Sequence, residues 1–170
     1  MVAVILPWAT LGERPSAIVR PRTALEEEGR ALYVNNGCTF CRTQFVRSID
    51  WDLGAERIAQ AGDYVDENPH LVGTERTGPD LSQEGGEHPD DWHRAHFANP
   101  RFTRPESVMP SWGFLGPERL RALTAYVQSL GFRLADDRDR RQQTWKHRAQ
   151  RAYEAGPEAN VAWRHSKVPE

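Results

Sequence analysis

The sequence predicts a mostly α-helical domain with long loops. Two apolar stripes at helical spacing carry that prediction, one opening at a capping box near Thr23 and one over residues 117–130. Between them lies a stretch punctuated by Pro69, Gly73, Gly78 and Pro79 in which strand-like alternation is scarce. At 170 residues the chain fits one domain with a modest core. Its hydrophobic content of 38% and mean hydropathy of −0.72 leave no room for the ~18–20 unbroken apolar residues of a membrane-crossing helix. With 22 basic against 24 acidic residues, the net charge of −2 gives no reason to expect nucleic acid as a partner. Six Trp, 12 Pro and 13 Gly suggest loops wrapped around something large and apolar.

The elements follow in order. Met1 to Trp8 is an apolar run too short for a signal peptide, and it reads either as the remnant of a membrane anchor or as an extended arm; residues 1–20 are assigned to it. Pro15, Pro21 and the Arg20/Arg22 pair keep the chain extended up to Thr23. There Thr23 and Glu26 form a capping box, Leu25, Gly29 and Leu32 share a face, and Asn36-Gly37 stops the helix. Residues 51–83 read as a long meandering loop, which in a compact domain points to function. A short helix is predicted over Pro89–Ala98, with Pro100 beyond its end. The strongest helix is Pro117–Leu130, where Leu120, Leu123, Val127 and Leu130 are spaced 3, 4 and 3, and Gly131 closes it. Residues 132–170 are charged and poor in aliphatics, and are expected to form a mobile tail or an arm ordered only by a partner. There is no internal repeat.

The chemistry centres on Cys38-Thr39-Phe40-Cys41, directly after the first helix. With only two cysteines, this Cys-x-x-Cys has three readings: a zinc half-site, a thiol redox pair, or the attachment point of a c-type haem. Zinc needs two further ligands, and the histidines at 70, 88, 93, 96, 147 and 165 offer no compelling pair, although His93 and His96 are three apart and on a short helix would pack and hydrogen-bond. A thioredoxin-like site places its cysteines at the start of a helix in a strand-rich chain, whereas here the helix precedes them. The haem reading accounts for more of the chain. Met109, held between Pro105 and Pro110, is the internal methionine that a His/Met axial pair would use. The residue after the second cysteine, however, is Arg42, which stays protonated and offers iron no lone pair. Taken alone, Arg42 is a surface charge or a partner for a haem propionate.

Several motifs then resemble, in order, one family. Gly29-Arg30-Ala31-Leu32-Tyr33, Gly37 to Gln44, Arg76-Thr77-Gly78-Pro79-Asp80-Leu81, Trp92-His93-Arg94-Ala95-His96, Asn99-Pro100-Arg101 and Pro105 to Ser111 are similar to the mono-haem c subunit (subunit II) of cbb3-type cytochrome c oxidases, over residues 21–131. The resemblance implies a class I cytochrome c fold with crossed N- and C-terminal helices, Gly29 permitting close approach near Tyr126. It implies one covalent haem c on Cys38 and Cys41, covered by the Gly78-Pro79 loop, with Met109 as an axial ligand. Arg42 replaces the family's histidine, so the other axial position falls to a displaced histidine, of which His70 is the most loop-like. The implied role is single-electron transfer, with no catalysis by this chain alone, to a membrane-bound catalytic subunit beside other cytochrome c subunits on the periplasmic side of a bacterial inner membrane. A haemless subunit that keeps the fold to dock a membrane partner, or a Cys-x-x-Cys thiol protein, are the alternatives.

Overall fold

A computed structural model describes residues 4–6, 14–49, 57–73 and 75–155. The α-helices are α1 (Ala24–Asn35), α2 (Asp90–Ala98), α3 (Gly116–Ser129) and α4 (Arg133–Glu154), joined by 3₁₀ turns and irregular chain, with no strand among the described residues. The mostly helical class is therefore as predicted. Parts of the N-terminal arm and of the long loop, and all of 156–170, lie outside the described residues. Within the arm, Val4, Ile5 and Leu6 take a helical rather than an extended conformation and are exposed.

The capping box forms as its sequence requires. Thr23 Oγ1 accepts from the Glu26 N–H at 3.3 Å, and the Glu26 carboxylate accepts from the Thr23 N–H at 2.7 Å. Helix α1 then stops at Gly37, whose φ of 71° suits a residue without Cβ. Its apolar face packs on α3. The approach is so close that a Cβ on Gly29 would lie 2.0 Å from the Ala122 carbonyl oxygen and 2.7 Å from Tyr126 Cβ, so no other residue fits there undisturbed. The predicted stripe of α3 is buried in full, and Leu120, Leu123, Val127 and Leu130 join Tyr33, Leu71, Phe97 and Tyr126 in one core. Tyr33 and Tyr126 meet with ring centroids 5.2 Å apart, and the Gln44 amide donates to the Tyr126 hydroxyl at 3.0 Å inside the core.

The irregular segments are fastened by charge. Arg20 forks onto Glu26 at 3.0 Å and reaches Asp136 at 2.9 Å, tying the segment before α1 to the start of α4. Glu67, with a side chain 5% exposed, pairs with Arg22 and, at 2.9 Å, with Arg30. Arg57, Ser16 and the backbone of Gln60 converge on Asp63 in the turn Ala61–Tyr64.

The C-terminal expectation needs correction. Residues 133–154 form a helix, and its first turns dock on the domain rather than standing free. Ala135 and Arg138 are buried. Arg138 Nε donates to the Gly85 carbonyl at 2.8 Å and Nη2 to that of Gln83 at 2.6 Å, while Gln142 donates to Gly86. The physical reason is that this docking uses long polar side chains on backbone carbonyls, so a search for aliphatic residues overlooks it. Beyond residue 142 the helix is largely exposed.

Candidate functional site

Gly37 turns the chain out of α1 into a single 3₁₀ turn, Cys38–Phe40. Cys38 is half-buried against the core, as are Leu81, Met109, Trp112 and Leu115, whereas Cys41 is exposed. Burial pushes the Cys38 thiol up to about 11, against a weaker pull from Arg42. At neutral pH Cys38 is thus a thiol, not the thiolate that a redox pair employs as nucleophile.

The segment after Cys41 is clamped on both sides. Gln44 N–H donates to the Val72 carbonyl at 3.0 Å on one side; on the other, Gly78 N–H donates to the Cys41 carbonyl at 3.0 Å and Leu81 N–H to that of Thr43 at 2.8 Å. Asp80 accepts from the Thr43 hydroxyl at 2.5 Å and from the Phe45 N–H at 2.9 Å, and Arg76 donates to Thr43 and to the Phe45 carbonyl at 2.8 and 2.9 Å. The Arg76–Leu81 loop is therefore laced to the Cys-x-x-Cys segment, with Pro79 exposed at its outer edge. Met109 is presented by a second fastened loop. Arg101 Nη1 donates to the Met109 carbonyl at 3.0 Å, Ser111 donates to the Ala98 carbonyl, and Trp112 N–H donates to that of Phe97 at 2.8 Å.

Arg42 joins the two loops. Its guanidinium crosses Gly78 so closely that a Cβ there would lie 1.8 Å from Nη1, and its Nη2 stands 3.6 Å from Met109 Sδ. This corrects the reading of Arg42 as a surface charge, since the side chain is folded inward. Burial lowers its pKa, countered by Tyr33, Cys41 and Glu84.

The contact also tests the fit of a haem. Met109 could supply a thioether to a haem iron, and the position held by the family's histidine would have to supply a nitrogen lone pair. Arg42, 3.6 Å from Met109 Sδ, cannot supply it, because a protonated guanidinium has no lone pair to give. Cys38 and Met109 both pack against the core, and Arg42 is the residue whose chemistry does not suit a haem iron.

Sequence reasoning nominated His70 for that second position. The structure leaves it exposed, with its ring 6.2 Å from that of Tyr64, while Arg42 is the side chain that reaches Met109. His93 and His96 are buried on α2, as a packing role requires. His96 Nδ1 meets Thr103 Oγ1 at 2.5 Å, and burial, reinforced by the charge of Arg42, brings its pKa down to about 4. Sequence reasoning missed Glu84 and His88, which fold against His93. The four-residue step from Glu84 to His88 was a usable signal, lost because the zinc reading sought partners for the cysteines.

Comparison with the curated proteins found no match. The model of the family described as cytochrome c oxidase, mono-heme subunit/FixO matches residues 2–129, most of the chain and all of the clamped loops just described. The order of motifs, the helical fold and this match agree, and the chain belongs to the FixO family, the mono-haem subunit II of cbb3-type cytochrome c oxidases.

Proposed function

We propose that the chain is a single-electron carrier in a respiratory oxidase-like complex, with one haem c joined by thioether bonds to Cys38 and Cys41 and held at the iron by Met109. The supporting observation is that Cys38 and Met109, 71 positions apart in sequence, pack against one core and that Arg42, next to Cys41, reaches both Gly78 and Met109. Haem bound there supplies a one-electron couple. The chain's own residues do the rest. Leu81, Trp112 and Leu115 pack against the same core, the Gly78-Pro79 loop would cover the haem edge, and Arg101 holds the methionine loop in place. Phe40, Phe102, Val108 and Phe114 are 73–79% exposed on the turns around the site. Apolar side chains so placed suit docking on the membrane-bound catalytic subunit and its companion cytochrome c subunits. On this reading the domain works on the periplasmic side of a bacterial inner membrane, anchored through the complex. No helix among the described residues is long and apolar enough to cross a membrane.

One observation favours a second reading. The guanidinium of Arg42 lies against Met109 Sδ and offers iron no lone pair, as expected of a haemless subunit that keeps the fold for docking. The two are separated by expressing the native chain, Arg42→His and Cys38→Ser/Cys41→Ser in a host that attaches c-type haem, then recording intact mass and pyridine haemochrome spectra. The carrier reading expects haem in the first two, with a high-spin or otherwise altered spectrum for the native chain and a low-spin His/Met spectrum for Arg42→His. Haem in Arg42→His alone would overturn it in favour of the haemless subunit.

A further inference from the structure

A second set of donors lies beyond the cysteine and methionine loops and has no part in the haem reading. Glu84, His88 and His93 each offer one ligand atom, and these atoms all lie within 4.8 Å of one another. Glu84 Oε1 is 2.9 Å from His88 Nδ1 and 3.9 Å from His93 Nε2. The His93 side chain is only 2% exposed, and its Nε2 makes no hydrogen bond among the described residues. A polar atom removed from water without a partner is uncommon in a folded chain, and this one faces a carboxylate and a second imidazole.

The surroundings hold these donors in place. Trp92 stacks on His88 with centroids 3.9 Å apart and meets His93 edge-on at 5.3 Å, fixing both rings. Gln128 on α3 donates to the His88 carbonyl at 2.9 Å and accepts from the Gly86 N–H at 2.8 Å, and Gly85 N–H donates to the Leu130 carbonyl at 2.9 Å. The loop between Glu84 and His88 is thus anchored to a core helix, the kind of support that orients metal ligands.

We propose that Glu84, His88 and His93 form a binding site for a divalent transition-metal cation of the zinc type. Two imidazoles and a carboxylate suit such an ion, leaving a fourth position for water. Bonds of ~2.0–2.2 Å in tetrahedral geometry hold ligand atoms roughly 3.3–3.6 Å apart, so the His93–Glu84 gap closes by about half an ångström, the His88–Glu84 contact opens by about as much, and no pair has to close by more than ~1.5 Å.

The test uses the full chain without haem, titrated with Co²⁺ and then displaced with Zn²⁺. The expected result is one Co²⁺ per chain with a visible ligand-field band and no thiolate charge-transfer band in the near ultraviolet. Glu84→Gln and His88→Ala should each weaken binding by ~100-fold or more, since even outer partners of a metal ligand are worth about 10–100-fold. Both side chains are partly exposed, at 16% and 34%, so these variants keep the test open even where His93→Ala fails to fold. Cys38→Ser/Cys41→Ser and His147→Ala should bind as the native chain does. Full affinity in either Glu84→Gln or His88→Ala, loss of binding in the cysteine variant, or no Co²⁺ uptake at millimolar concentration would overturn the proposal.

Discussion

Replacing Gly29 by alanine tests the packing on which the fold rests. The new Cβ would lie 2.0 Å from the Ala122 carbonyl oxygen, about 1.4 Å short of an ordinary contact near ~3.4 Å. The obstacle is helix backbone, which cannot rotate aside as a side chain can, so α1 and α3 must separate. A gap of ~0.5–1 Å forfeits a quarter to a half of each dispersion contact, and that loss falls on Tyr33, Leu123 and Tyr126, all 2% exposed or less. Overpacking on this scale costs ~3 kcal/mol or more, and the better helix propensity of alanine returns about 1 kcal/mol. The net loss of ~2–4 kcal/mol corresponds to a fall in Tm of roughly 5–15 °C for a chain of this length. Urea melts followed by far-ultraviolet circular dichroism measure it, with Ala31→Gly on the exposed face of α1 as the reference, expected to cost ~1 kcal/mol through propensity alone. If Gly29→Ala is neutral or stabilising, the helices do not approach as described and the reasoning fails.

Other substitutions probe separate features. Leu123→Ala should cost ~2–5 kcal/mol in the same melts, because the side chain is 2% exposed at the centre of the core; a loss below ~0.5 kcal/mol would place the α3 stripe on the surface. Arg138→Ala should cost ~2–3 kcal/mol through its bonds to the Gln83 and Gly85 carbonyls, whereas Arg140→Ala, exposed two positions on, should change stability by less than ~0.5 kcal/mol; equal effects would mean that α4 is not docked. For Glu26, burial alone would raise the pKa, but the Arg20 fork and the Thr23 N–H outweigh it and hold the carboxyl below its ordinary 4.5. Its folded pKa therefore lies beneath its unfolded one, so its contribution is complete above pH 4.5 and is lost as pH falls through the folded value. Thermal melts from pH 7 to pH 3 should show a shallower acid decline for Glu26→Gln than for the native chain; identical slopes would refute the assignment.

What the sequence made legible was local. Thr23 and Glu26 cap within one turn, and Leu120 to Leu130 repeat within one helix, so their partners are set by spacing alone. The order of the Cys38, Gly78 and Met109 motifs carried the family and with it the expectation of a shared site. The direction of the Arg42 side chain was not legible, because it depends on the meeting of two loops some 35 and 67 positions downstream. Glu67 gave no signal either: an isolated acid in a polar loop looks solvated until Arg22 and Arg30 close over it. Arg138 was misread for the opposite reason, as one charge among many in a charged run, although its neighbours Asp137 and Arg140 do remain on the surface.

The docking of α4 has a consequence for how this surface can change over time. Arg138 and Gln142 recognise main-chain oxygens of residues 83, 85 and 86, and every amino acid presents such an oxygen. Gly85 is held by sterics, since a Cβ there would lie 2.2 Å from the Gln128 carbonyl oxygen. Positions 84 and 88 are under no comparable constraint from the helix, because none of these bonds reads their side chains. Substitution can therefore install or remove an acid or an imidazole at those positions without detaching α4, and the loop is free to acquire new chemistry while its scaffold is inherited unchanged.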